Sequence, residues 1–192
     1  EILVSRLIDR PMRPLFNKAF GREIQIVPTA ISSDMSNTPD IIAMNAASAA
    51  VTISDIPFGG PIAAVRISLL DGNYIVNPTF SEIEKSELDI VVAGTRDGIT
   101  MVEGGAKEVS EEVMLEAIAT AQPFITKLCD AQLELRELAG KEKLPIIEST
   151  VDLSWLAPVR EFAYPLIKKA SFVKGKMNRY AALAEVREQV QE

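Results

Sequence analysis

Ile62-Ala-Ala-Val-Arg-Ile-Ser-Leu-Leu-Asp-Gly-Asn-Tyr-Ile-Val-Asn77 is the stretch on which the fold turns. Two apolar runs, 62–70 and 74–77, flank Asp71-Gly72-Asn73, and Asp-Gly supplies the positive φ that a tight hairpin demands. The pattern repeats at Leu88-Asp-Ile-Val-Val-Ala-Gly-Thr95 and Thr100-Met-Val-Glu-Gly104, which flank Arg96-Asp97-Gly98. The two hairpins predict four antiparallel strands. A long helix should follow from a Ser110 cap to about Leu138, with Glu111 and Glu112 at its positive end and Gly140 as the stop. Pro123 lies inside it and predicts a kink rather than a break.

Outward toward the start, Ile56-Pro-Phe-Gly-Gly-Pro61 is the clearest breaker cluster and marks a sub-domain boundary. Thr38-Pro39-Asp40 opens a helix with a hydroxyl cap, proline at the first helical position and an acid in the first turn. The run that follows, Ile41 to Val51, is mostly small and apolar, so this helix should be buried on nearly all sides. Glu23-Ile-Gln-Ile-Val-Pro-Thr-Ala-Ile-Ser32 alternates apolar and polar residues and reads as a strand. An amphipathic helix begins the chain and should end near Arg10, because Pro11 and Pro14 remove donors and restrict their neighbours. Outward toward the end, residues 141–150 form a Lys/Glu/Pro linker, and amphipathic helices near 153–169 and 174–192 finish the chain. The order predicts an α+β domain joined to part of an all-α one. A chain that begins inside a helix reads as a piece of something longer.

The composition narrows the chemistry. The 192 residues hold 27 acidic and 20 basic side chains, no histidine and one cysteine. Imidazole bases, His-based triads and imidazole metal sites are excluded, as are an internal disulfide and a Cys-based zinc site. Cys129 reads as a small buried hydrophobe on a helix. The net charge of −7 is unevenly spread: residues 1–30 carry +2, residues 31–159 carry −12 and residues 160–187 carry +5. An acidic body with two basic flanks is compatible with a polyanion bound at its edges, and equally with solvated surface charge. No apolar run reaches the roughly 18 residues of a membrane span.

Three groups of residues are candidates for function. Arg6, Arg10 and Arg13 recur at intervals of four and three, which on a continuing helix aligns three guanidiniums about 5–6 Å apart. Such a row suits a phosphodiester backbone; the alternative is a solvated face or a salt bridge to Asp9. Asp89 and Asp97 are placed to hold a hard divalent cation, although Asp97 has a simple turn-forming use and structural roles are favoured. Lys168, Lys169, Lys174, Lys176, Arg179 and Arg187, with Phe172 and Tyr180 interleaved, fit either single-stranded nucleic acid or a helical bundle with solvated lysines. Gly59-Gly60 and Gly104-Gly105 lack the lysine and hydroxyl of a phosphate loop.

Ser5-Arg-Leu-Ile-Asp-Arg-Pro-Met-Arg-Pro-Leu-Phe16 resembles the arginine-rich helix of the first core of bacterial polynucleotide phosphorylases. Pro39 to Ala50, Ile56 to Arg66, Asn77-Pro-Thr79 and Leu88 to Thr95 are similar to the same core in the same order, strongly over 1–139 and more loosely over 150–192. The resemblance implies an RNase PH-like core incomplete at its N-terminal side. Residues 1–55 would then close a first sub-domain, 56–140 form a second, 141–151 link, and 152–192 begin an all-helical domain. It also implies a cytoplasmic, Mg²⁺-dependent enzyme that degrades RNA from its 3′ end with phosphate as co-substrate. The family threads single-stranded RNA through a homotrimeric ring and acts beside other RNA-degradation proteins.

The family's catalytic site lies in its second core, with a phosphate-binding serine pair, a metal-binding aspartate pair and a lysine. Here Thr38 and Pro39 stand at the serine positions, Ile83 and Val91 at those of one aspartate and the lysine, and only Asp89 has a counterpart. The expectation is a non-catalytic core, with no catalytic or metal-binding residue of its own, that guides RNA through Arg6, Arg10 and Arg13. The competing expectation is a non-enzymatic protein-interaction module with the same fold.

Overall fold

The computed structural model describes residues 2–146 and 153–191. They divide into two compact units, Glu1–Glu148 and Ser149–Glu192. In the first, helices α1 (Ile2–Met12) and α2 (Pro39–Ile53) precede strands β1 (Ala63–Leu70) and β2 (Asn73–Val76). Helix α3 (Phe80–Lys85), strands β3 (Leu88–Gly94) and β4 (Ile99–Ala106) and the long helix α4 (Glu111–Ala139) follow.

The strands form one antiparallel sheet in the order β2-β1-β3-β4. The side-chain alternation of a strand sends successive residues to opposite faces. Val65, Ile67, Ile90 and Val92 meet Ala117, Ala121, Ile125 and Cys129 of α4. The other face, including Ala64, Val91, Ala93 and Met101, packs on Leu7, Ile8 and Met12 of α1 and Met44, Ala47 and Val51 of α2. Helices on both faces explain why β1 and β3 read as nearly unbroken apolar runs. On α4 the buried positions recur every three or four residues and include two alanines, which lets the helix lie close to the sheet. Cys129 is buried there as expected, and burial, with the nearby Asp130 charge, pushes its thiol up to about 11.

β2 is short and pairs only with Ile67–Leu70, so the first half of β1 has a free edge. Side chains complete it. Ser48 Oγ accepts from Ile62 N at 3.0 Å, and the Asn45 amide both accepts from Ala64 N and donates to Ala64 O, each at 2.9 Å. Asn77, held at φ +53°, accepts from Arg66 N through its side chain and donates to Arg66 O through its backbone. These bonds satisfy backbone groups that would otherwise be stranded against apolar helix α2.

Several local expectations hold. Asp71 and Gly72 both have positive φ, as the first hairpin turn requires. Ser110 accepts from Val113 N at the start of α4, which runs unbroken through the exposed Pro123. Other expectations fail for identifiable reasons. The Arg96-Asp97-Gly98 turn has no positive φ; Thr95 N donates to Gly98 O, and a register shift at Ala93/Gly94 absorbs the geometry. Gly140 is not left-handed either, and glycine is needed there because a Cβ would stand 2.3 Å from Arg136 O. Residues 23–32 form no strand: alternation prepares a ladder, but no neighbouring strand among the described residues pairs with them. α2 is not buried all round, since Ile42, Ala46 and Ala50 form an exposed stripe.

Residues 141–146 dock onto the end of α2. Lys143 Nζ donates to the carbonyls of Val51, Thr52 and Ser54 at 3.0, 3.0 and 2.7 Å, and so neutralises the negative end of the helix. Burial lowers the Lys143 pKa, with Arg136 adding to the effect. The rest of the expected linker, 147–151, and the expected helical-domain start at 152 lie outside the described residues, as does Glu192.

The second unit contains α5 (Leu156–Ser171) and α6 (Lys176–Gln191), joined through Gly175 at φ +86°. Ala163, Ala170 and Val186 are buried between them. Phe172 is 82% exposed, and Tyr180 is exposed beneath the Lys176 ammonium, 5.8 Å from its ring centroid. Within this unit the two aromatics are therefore not core residues. No helix among the described residues is long and apolar enough to cross a membrane.

Candidate RNA edge and carboxylate site

Arg6 and Arg10 are exposed on α1, but the helix ends at Met12 and Arg13 opens a short 3-10 turn, Arg13–Leu15. The three guanidiniums therefore do not share one continuous helix. Arg13, 76% exposed, donates through Nε to Asp9 at 2.9 Å and pairs with it a second time at 2.6 Å. Arg10 reaches across to Glu103 on β4. Arg6 has no ion-pair partner among the described residues. Arg13 and Arg22 border an open cleft of about 1220 Å³ between α1, residues 22–32 and the first turns of α2. The edge is solvent-facing, with two of its three arginines matched by acids and Arg6 outside any ion pair among the described residues.

Asp89 and Asp97, for which structural roles are favoured, stand at opposite ends of β3. Asp89 is the second residue of β3, and Asp97 lies in the turn beyond its other end. Asp97 has the turn role read for it, its backbone N–H donating to Thr95 Oγ1. The partner of Asp89 is instead Arg66 on the adjacent strand β1. Arg66 Nη1 donates to Asp89 Oδ2 at 2.6 Å, and its Nη2 pairs with Asp40 in the first turn of α2. Ser68 Oγ donates to the remaining oxygen, Asp89 Oδ1, at 3.0 Å. The Arg66 and Asp40 side chains are each 13% exposed and that of Asp89 25%. A guanidinium can bridge two carboxylates because its donors form a fixed fork.

This network was missed in the sequence, although a signal existed. Arg66 is a charged residue in the middle of an apolar strand flanked on both sides by core, and a buried charge demands a partner. Val91, the Cα partner of Arg66 across the ladder, is 4% exposed and supplies no cation. Among the described residues no group of three or more His, Cys, Asp or Glu could hold a metal. A Mg²⁺ ion does not fit at Asp89 as the residues stand, because both carboxylates already share the Arg66 charge.

A helix-covered antiparallel sheet of this kind is the architecture of an RNase PH-type core. Residues 1–57 match the model of the 3′ exoribonuclease family, domain 1, and residues 60–122 match domain 2 of that family. Together the matches take in more than half of the chain, which belongs to the 3′ exoribonuclease family. Polyribonucleotide nucleotidyltransferase of Treponema denticola is 58% identical over 192 residues, covering 100% of this chain and 28% of the relative. Its namesake in Treponema pallidum is 56% identical over 190 residues, with 99% and 27% covered. That of Borrelia turicatae is 58% identical over 193 residues, with 100% and 27% covered. The likeness read from separate motifs thus extends along the whole chain, including 150–192. The chain spans little more than a quarter of the length of these relatives. The crystal structure of rice Rrp46 overlays 53% of this chain and 49% of its own, with a TM-score of 0.48 and 17% identity.

Proposed function

We propose that this chain is the part of a polyribonucleotide nucleotidyltransferase that guides RNA and supports the assembly without catalysing the reaction. In the whole cytoplasmic enzyme, inorganic phosphate attacks the 3′-terminal phosphodiester. The bond to the preceding 3′ oxygen breaks, and a nucleoside diphosphate leaves an RNA one residue shorter. Mg²⁺ serves that chemistry elsewhere in the polypeptide, in a homotrimeric ring that works with other RNA-degradation proteins. Here Arg6, Arg10 and Arg13 offer the basic edge, and single-stranded RNA is the ligand whose spaced phosphates suit it.

The observation that carries the non-catalytic role is the Arg66 bridge. Phosphorolysis needs a free cation to offset charge on the attacked phosphate. Both oxygens of the Asp89 carboxylate are already engaged, by Arg66 and Ser68, and two residues further along β3 stands the apolar Val91. The chain incubated with poly(A), phosphate and Mg²⁺ should release ADP no faster than a protein-free blank. Phosphate-dependent ADP release would overturn the role.

A further inference from the structure

The turn between α5 and α6 gathers charge and aromatic surface that the packing of the second unit does not use. Residues 168–180 hold five basic side chains, Lys168, Lys169, Lys174, Lys176 and Arg179, and no acid. None of the five has an ion-pair partner among the described residues. Phe172 and Tyr180 lie among them and are exposed, while the positions buried between the helices are Ala163, Ala170 and Val186. The backbone of the turn is fixed: Val173 N donates to Ala170 O at 3.2 Å and Arg179 N to Gly175 O at 3.0 Å. Phe172 caps α5 just after Lys168 and Lys169 in its last turn. On α6, Lys176, Arg179 and Tyr180 stand at i, i+3 and i+4 and so share one face. Five like charges without a counter-charge repel one another, and a polyanion relieves that repulsion. An acidic peptide would answer the charge and leave the two rings bare. Unpaired bases on a phosphodiester chain answer both, because a base stacks on an aromatic face and a cation beside the ring adds to the contact.

We propose that the α5–α6 turn is a separate contact for single-stranded nucleic acid, in which Phe172 and Tyr180 stack on unpaired bases and the five basic side chains hold the adjoining phosphates. The contact uses none of the α1 arginines and stands without the guiding role. It differs from that edge in chemistry, since α1 offers charge alone and this turn offers charge with ring faces. Every base has such a face, so the contact tolerates any sequence but requires that the bases be present and unpaired.

The test uses the 192-residue chain carrying Arg6→Gln, Arg10→Gln and Arg13→Gln, so that the α1 edge adds no charge. The probes are fluorescent oligo(A), an abasic strand of the same length and charge, and poly-glutamate, with binding followed by anisotropy at low salt. The arginine-free chain should bind oligo(A) more tightly than either base-free probe. Adding Phe172→Ala and Tyr180→Ala should weaken oligo(A) by about tenfold or more and leave the abasic strand within about twofold. Phe172→Trp with Tyr180→Trp keeps both ring faces and should bind oligo(A) as tightly as the native rings do. Lys174→Gln, Lys176→Gln and Arg179→Gln together should weaken both strands and flatten the salt dependence. No binding of oligo(A) by the arginine-free chain, no change on loss of the rings, or an equal loss for the abasic strand would overturn the proposal. So would poly-glutamate bound as tightly as oligo(A), which would assign the turn to an acidic protein segment. If the alanine pair is unfolded by circular dichroism, the tryptophan pair decides, and weaker binding by it overturns the proposal. The guiding role is read from the α1 arginines in the otherwise native chain, so either claim can fail while the other stands.

Discussion

Arg66→Ala in metal-free buffer is expected to cost the first unit about 3 kcal/mol and to lower its melting temperature by about 9 °C. The cost comes from what remains after the change. Asp40 and Asp89 are mostly buried and lose the charge they share, so each retains the penalty of desolvation without a partner. Asp40→Asn should cost less, because Arg66 keeps Asp89 and the asparagine still offers an acceptor oxygen. Arg66→Lys should recover only part of the loss, since an ammonium is a point charge that cannot span both acids with a fixed fork. Differential scanning calorimetry gives the order directly. Equal losses for Arg66→Ala and Arg66→Lys would show that shape rather than charge holds the bridge.

Gly104→Val should be comparably severe, at about 3 kcal/mol. A Cβ at Gly104 would stand 2.1 Å from Asp89 O and 2.6 Å from Ile90 Cα, so the obstacle is the backbone of β3 and no rotamer relieves it. β4 would have to peel from its partner, giving up ladder bonds on both sides of the position. The adjacent glycine is the control. Gly105 has open space above it, and Gly105→Ala should change stability by less than about 0.5 kcal/mol. Chemical denaturation of the two variants, with the second unit present in both, separates a close approach of strands from a general intolerance of side chains on β4.

Positions 104 and 66 also show where sequence reading stops. Local chemistry was legible at some positions where a residue acts on its near neighbours, and misread at the Asp97-Gly98 turn and the Gly140 stop. The Asp71-Gly72 turn and the Ser110 cap are examples of the legible kind, and both involve groups within three residues. The four strands were legible from their two Asp-Gly hairpins and because helices on both faces keep β1 and β3 largely apolar. Most of the other failures depended on a distant partner. Residues 23–32 have the alternation of a strand, but a strand also needs a neighbour, and alternation does not provide one. Asp40 was visible as a helix-start acid and Arg66 as a charge in a strand, yet they meet across 26 positions, and Arg66 meets Asp89 across 23. Likewise, Lys143 looked like part of a solvated linker until the end of α2 was seen beneath it. For Arg6, Arg10 and Arg13 the spacing, the end of α1 near the prolines and the salt bridge to Asp9 were legible, while the reach of Arg10 to Glu103 on β4 was not.

Those three arginines give the most direct test of the guiding role. The measurement is the affinity of the 192-residue chain for a fluorescent oligo(A), followed by anisotropy across a salt series. The comparison is the variant carrying Arg6→Gln, Arg10→Gln and Arg13→Gln, with folding of both chains checked by circular dichroism. If this edge holds RNA phosphates, low-salt affinity falls at least about tenfold. The slope of log affinity against log salt becomes shallower by about 2, near the 0.7 per phosphate of single strands. An affinity and a salt slope that do not change when all three charges are removed would contradict the guiding role.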